Sequence, residues 1–143
     1  MNSTTTPSVL FVCVKNAGKS QMAAGLMRKI AGDRVHVHSA GTRPGNRIND
    51  LSAQALDEVG VDISAQTPKP IDAQLLRDVD IVVIIGREAH LDPVAGTRIE
   101  NWDTDEPSER GVEGIDRMRL VRDDIDRRVR SLLAEMGVLE PGH

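Results

Sequence analysis

Two periodicities organise the hydrophobic positions of the chain. Val9-Leu10-Phe11-Val12 and Ile81-Val82-Val83-Ile84-Ile85 are short unbroken apolar runs rich in β-branched residues. Such runs suit strands buried on both faces, as parallel sheets require. Residues 35–40 alternate like a strand, and residues 98–102 form a weaker one. Between the strands the spacing turns helical. Met22, Leu26, Met27 and Ile30 predict a helix over residues 20–30, stopped by Gly32. Leu51, Ala55, Leu56 and Val59 predict one apolar face of a helix over 49–60, capped by Asn49 or Asp50. After Pro68 and Pro70, residues 72–77 read as a short helix. Met118, Val121, Ile125, Val129 and Leu132 mark a long helix over 115–136 that Gly137 ends. Residues 41–47 read as a Gly- and Pro-containing loop and 103–114 as an acidic one.

This alternation predicts an α/β fold: a three-layer sandwich with about four parallel strands, helices on both faces, and 81–85 at the sheet's centre. Ligands are then expected at the carboxyl ends of the strands. The 143 residues suffice for one domain, expected over 8–138 between short tails at 1–7 and 139–143. A chain of this size buries roughly 68–70% of its unfolded surface, so its core needs no covalent staple.

Composition narrows the function. A single cysteine excludes an internal disulfide and a cysteine-rich zinc site, and suits a reducing, cytoplasmic setting. Phe11 and Trp102 are the only aromatic residues and the net charge is −4, which leaves neither stacking platforms nor a basic footprint for nucleic acid. No stretch has the length of a membrane span, so no membrane partner is expected. His36 and His38 alternate on a strand without a third ligand nearby, and no metal site is expected. Arg127, Arg128 and Arg130, interspersed with Asp123, Asp124 and Asp126, read as a solvated helix face with local ion pairs.

The chemistry concentrates in Cys13-Val14-Lys15-Asn16-Ala17-Gly18-Lys19-Ser20, at the junction of the first strand and first helix. A strand–loop–helix junction turns backbone N–H groups and the positive end of a helix dipole toward one spot, which holds oxyanions. Cys13 falls in that spot, where the same field favours the nucleophilic thiolate. Lys19 would add a full charge, Ser20 a hydroxyl donor to the thiolate, and Lys15 a cation at the rim. Two other readings compete. A cysteine ending a hydrophobic strand is often an inert core residue. Gly18-Lys19-Ser20 also matches the tail of a nucleotide-binding P-loop, whose first glycine would have to stand at Cys13.

A cysteine followed by five residues, a basic residue and serine, directly after the first strand, resembles the anion loop of the low-molecular-weight protein tyrosine phosphatase superfamily, including its arsenate reductases. His38-Ser39-Ala40-Gly41-Thr42 resembles the superfamily's second-strand signature, and Trp102 through Pro107 its acid-bearing loop. Ser20-Gln21-Met22-Ala23 continues the loop as in the arsenate reductases. The resemblance implies that Cys13 is the nucleophile, that residues 14–19 (Val14, Lys15, Asn16, Ala17, Gly18, Lys19) cradle the oxyanion, that Asn16 braces the loop and that Ser20 stabilises the thiolate. It also implies an acid before Pro107 to protonate the leaving oxygen, with Asp105 and Glu106 both candidates.

Two departures from the family pattern shape the expected activity. Lys19 stands where the family has arginine and lacks a guanidinium's planar fork. Thioredoxin-coupled reductases carry two further cysteines after the third strand, where this chain reads Gly86 to Pro93 without sulfur. The resemblance therefore points to the actinobacterial branch. There Cys13 would condense with arsenate, mycothiol would serve as co-substrate in place of any bound cofactor, and a mycoredoxin would release arsenite. A phosphatase acting on phosphotyrosine or small phosphate esters is the alternative, and an oxyanion-binding redox sensor the second. A phosphotyrosine ring is normally held by aromatic walls, and Trp102 is the only aromatic residue near the acid loop.

Overall fold

The computed structural model describes residues 6–140. Four strands form one sheet: β1 (Ser8–Cys13), β2 (His36–Gly41), β3 (Ile81–Ile85) and β4 (Arg98–Trp102). Their order is β2-β1-β3-β4 and every pairing is parallel. The two unbroken apolar runs are thus the inner strands, and the weaker patterns are the edges. The tails expected over 1–7 and 139–143 lie largely outside the described residues. At their inner ends, the Pro7 carbonyl accepts from the His36 amide at 2.9 Å and the Leu139 amide donates to the Leu133 carbonyl at 3.1 Å.

Four helices complete the fold: α1 (Lys19–Ala31), α2 (Asp50–Asp57), α3 (Ala73–Asp78) and α4 (Gly114–Glu135). Strand side chains alternate between faces, so β1 and β3 divide their apolar residues between two cores. Val9, Phe11, Ile81, Val83 and Ile85 pack with α1, α2 and α4. Leu10, Val12, Val82 and Ile84 form a smaller core on the other face, under Leu75 and Leu76 of α3. Of the α4 stripe, Met118, Val121, Ile125, Val129 and Leu132 are all buried, as their spacing predicts. Among the described residues no helix is long and apolar enough to cross a membrane.

Two local expectations are corrected. Leu51 is exposed rather than on the buried face of α2, where Ser52 joins the expected Ala55 and Leu56. Ser52 can be buried because Asn49, the cap, accepts from its amide at 3.0 Å and from its hydroxyl at 3.2 Å. The acidic loop is not wholly irregular either. Pro107–Arg110 form a 3-10 turn, begun at Pro107 with its preset φ and ended at Gly111 in the left-handed region at φ 84°.

Candidate active site

β1, β2 and β3 end side by side, with Cys13 in register with Gly41. The chain then loops through 14–18 into α1, and the loop's shape follows from where its carbonyls go. Those of Cys13, Val14, Lys15 and Ala17 accept the amides of Thr42, Arg43, Gly45 and Asn49 at 2.8–3.0 Å, so the segment after β2 forms a collar around the loop. In a trans peptide the carbonyl and the next N–H point in opposite directions, and no cis bond is present among the described residues. The amides of Val14, Lys15, Asn16 and Gly18 are therefore turned away from the collar, toward the concave side. Asn16 verifies the sense of this turn, since its amide donates to Cys13 Sγ at 3.2 Å.

Asn16 holds the loop closed. It is fully buried and is the only non-glycine residue at positive φ among those described, at 53°. Its Oδ1 accepts from the Lys69 amide at 2.9 Å and from Gln21 Nε2 at 3.1 Å. A backbone amide can only donate, so the carboxamide orientation is fixed and Nδ2 faces Ser20 Oγ, to which it donates at 2.7 Å. Ser20 Oγ lies 2.9 Å from Cys13 Sγ, and toward a Cys13 thiolate, which can only accept, its O–H is the donor. The sulfur thus receives an amide and a hydroxyl, both preset by one asparagine. Gly41 backs this arrangement, because a Cβ there would stand 2.6 Å from the Val14 carbonyl oxygen and 3.0 Å from the Asn16 amide nitrogen.

Cys13 is buried, with 8% of its surface exposed at the floor of a cavity of about 530 Å³. Lys15 stands exposed at the rim, while Lys19, Glu88, Glu106 and Arg117 contribute charged side chains to the lining. Lys19 Nζ is paired with Glu106 Oε1, and Glu106 Oε2 lies 3.5 Å from Arg117 Nη2. Burial pushes the Lys19 ammonium below the usual lysine range, as do Arg117 and Arg87 nearby, against the opposing pull of Glu88 and Cys13.

The two acid candidates separate cleanly. Glu106 enters the cavity. Asp105 does not: Arg110 grips its two carboxylate oxygens at 2.8 and 2.9 Å and holds its carboxyl below the usual range, and its amide is tied to Asp124 at 2.8 Å. Glu106, not Asp105, is thus the carboxylate that shares a cavity with Cys13. Trp102 is likewise not a wall of the cavity. It is buried at the end of β4 against Phe11, with ring centroids 5.7 Å apart.

No local pattern in the sequence marks Glu88 or Arg117. Glu88 reaches the cavity because Gly86, at φ 92°, turns the chain back beside the end of β3. A glycine closing the central strand next to the cysteine's strand was the available signal. Arg117 lies one residue before the buried stripe of α4, and only the packing of α4 over the sheet brings it to the loop.

Residues 8–138 match the low molecular weight phosphotyrosine protein phosphatase family. An arsenate reductase of Halalkalibacterium halodurans is 36% identical over 137 residues, covering 90% of this chain and 96% of that protein. A solved arsenate reductase in the phosphate-binding state superposes with a TM-score of 0.78 at 30% identity, covering 90% of this chain and 98% of its own. The thioredoxin-dependent arsenate reductase of Corynebacterium glutamicum superposes with a TM-score of 0.78 at 35% identity over 92% of this chain, which spans only 62% of that longer protein. Matched to the family over residues 8–138 and built on a four-stranded parallel sheet, the chain belongs to the low molecular weight phosphotyrosine protein phosphatase family.

Proposed function

We propose that the protein is an arsenate reductase in which Cys13 condenses with arsenate and an external low-molecular-weight thiol, mycothiol, resolves the adduct. The observation that carries this reading is a single cysteine in a cavity lined by Lys15, Lys19 and Arg117, in a chain with no other thiol. Relatives named as arsenate reductases support the substrate.

The Cys13 thiolate attacks arsenic, an S–As bond forms, and one arsenate oxygen leaves as water once protonated. Glu106 is the acid in reach of that oxygen. Arsenic remains pentavalent at this stage. Mycothiol then displaces Cys13 at arsenic, giving an arseno-thiol adduct and returning the Cys13 thiolate. Two electrons enter when a mycoredoxin thiolate attacks the adduct's sulfur: a mixed disulfide forms, the S–As bond breaks, and arsenite is released. The amides of the loop, Lys19 and Ser20 hold charge in place throughout.

The same nucleophile and acid would serve a phosphate ester. With Phe11 and Trp102 both buried in the core and no tyrosine in the sequence, the cavity offers no aromatic wall to a phosphotyrosine ring. The test is arsenite release by purified protein with arsenate, mycothiol and mycoredoxin, beside hydrolysis of an aryl phosphate. Arsenite release abolished by Cys13→Ser supports the proposal. Ester turnover without arsenite selects the phosphatase, and oxyanion binding with neither reaction selects the sensor.

A further inference from the structure

Lys19 leaves the anion loop without a guanidinium, yet one is present in the cavity. We propose that Arg117 is an oxyanion-binding residue that supplies from α4 the planar fork the loop lacks. The assignment rests on the oxyanion reading of the Cys13 cavity.

Arg117 is set apart from the other arginines of α4. Arg119 and Arg122 are fastened to Glu58, Arg127 and Arg128 to Asp124, and Arg130 to Asp126. Arg117 has no carboxylate partner on its own helix and turns to the cavity, where its Nη2 lies 3.5 Å from Glu106 Oε2. Its Nε is buried with no hydrogen-bond partner among the described residues. A buried donor on a charged group is costly to leave unmet, so the protein itself does not fully satisfy this guanidinium, whose Nη2 end is the part that faces the cavity.

Glu106 shows what the site accepts. One of its oxygens is on Lys19 and the other faces Arg117, so a two-oxygen anion already bridges the two cations. An arriving tetrahedral oxyanion presents the same pair of oxygens, takes over both cations, and releases Glu106 toward the leaving oxygen. Lys19 acts as a compact point charge, and Arg117 adds the directional donors that match paired oxygens.

The experiment is calorimetric titration of inorganic phosphate and of arsenate into the wild-type protein, Arg117→Gln, Arg117→Lys and the double variant Lys19→Arg/Arg117→Gln, with a thermal melt of each. Arg117→Gln is expected to keep the wild-type melting midpoint and to weaken both anions about ten- to hundredfold, the loss of one charge-assisted hydrogen bond. Arg117→Lys should fall between, and Lys19→Arg should recover most of the loss by restoring a fork from the loop side. A folded Arg117→Gln that binds phosphate as the wild type does overturns the assignment, and so does a loss that Lys19→Arg does not recover at all. A wild-type protein that binds neither anion instead removes the oxyanion reading itself.

Discussion

Replacing Asn16 tests whether the anion loop is held from inside. The side chain makes three hydrogen bonds, to Ser20 Oγ, Gln21 Nε2 and the Lys69 amide, at 2.7, 3.1 and 2.9 Å. At about 1 kcal/mol net apiece, Asn16→Gly should cost about 3 kcal/mol of unfolding free energy. Asn16→Ala loses the same bonds and also places a Cβ-bearing residue without asparagine's local compensation at φ 53°. The left-handed region costs such a residue roughly 1–2 kcal/mol, partly offset by alanine's smaller unfolded-state entropy, so Asn16→Ala should cost about 4 kcal/mol. Against a typical total of about 5–15 kcal/mol, that is a large fraction. Urea denaturation followed by Trp102 fluorescence measures it, since the protein's single tryptophan is buried against Phe11. Turnover should fall further than stability does, because Ser20 loses the donor that aims its hydroxyl at the sulfur. A loss below about 1 kcal/mol for Asn16→Ala, or a glycine variant less stable than the alanine one, would refute the reasoning.

Further substitutions probe neighbouring parts of the structure. Burial lowers the Lys19 ammonium's pKa, so Lys19 loses its charge, and the site its grip, as pH rises through a value below 10.5. In a Cys13→Ser background, Lys19→Arg should move this alkaline fall in phosphate affinity to higher pH, and an unmoved fall would contradict the role. Gly41→Ala drives a Cβ to 2.6 Å from the Val14 carbonyl oxygen and should cost about 1–3 kcal/mol with slower turnover. Wild-type kinetics in that variant would show the loop to be looser than the geometry requires. Arg119 and Arg122 hold the Glu58 carboxyl at about 2, so its stabilising contribution is complete above the ordinary carboxylate pKa of 4.5 and is lost as pH falls toward 2. Glu58→Gln should lower the melting midpoint at neutral pH and flatten the acid limb of stability. A limb of unchanged slope would place the acid sensitivity elsewhere.

How much the sequence disclosed follows from the range of the forces involved. Strands β1 and β3 and helix α4 were legible because burial imposes a local period on them. Leu51 breaks the apolar stripe of α2 because the inward place beside it is taken by Ser52, a polar residue whose hydroxyl Asn49 satisfies. The cysteine loop was recognisable because its residues are contiguous. Asp105 and Glu106 were inseparable, being adjacent in a stretch with no period. Their fates are decided by Arg110 and Asp124 in one case and Lys19 and Arg117 in the other. Arg117 is invisible for the same reason: six arginines lie along α4, and only the docking of the helix tells which one enters the Cys13 cavity.

The collar between β2 and α2 also bears on how this sequence can change. Surface connections ordinarily absorb insertions and exchanges of residues with little effect. The stretch from Thr42 to Asn49 is a surface connection, yet it carries four of the loop's carbonyls by main-chain amides. Lengthening it by one residue would shift those amides out of step with Cys13, Val14, Lys15 and Ala17 whatever side chain were inserted. Residues 92–96, beyond Glu88 and the buried Ala89, bear no such duty to the loop. Grafted sequences, affinity tags within loops, or natural length variation should therefore be tolerated at 92–96 and rejected after β2, although both segments lie at the surface.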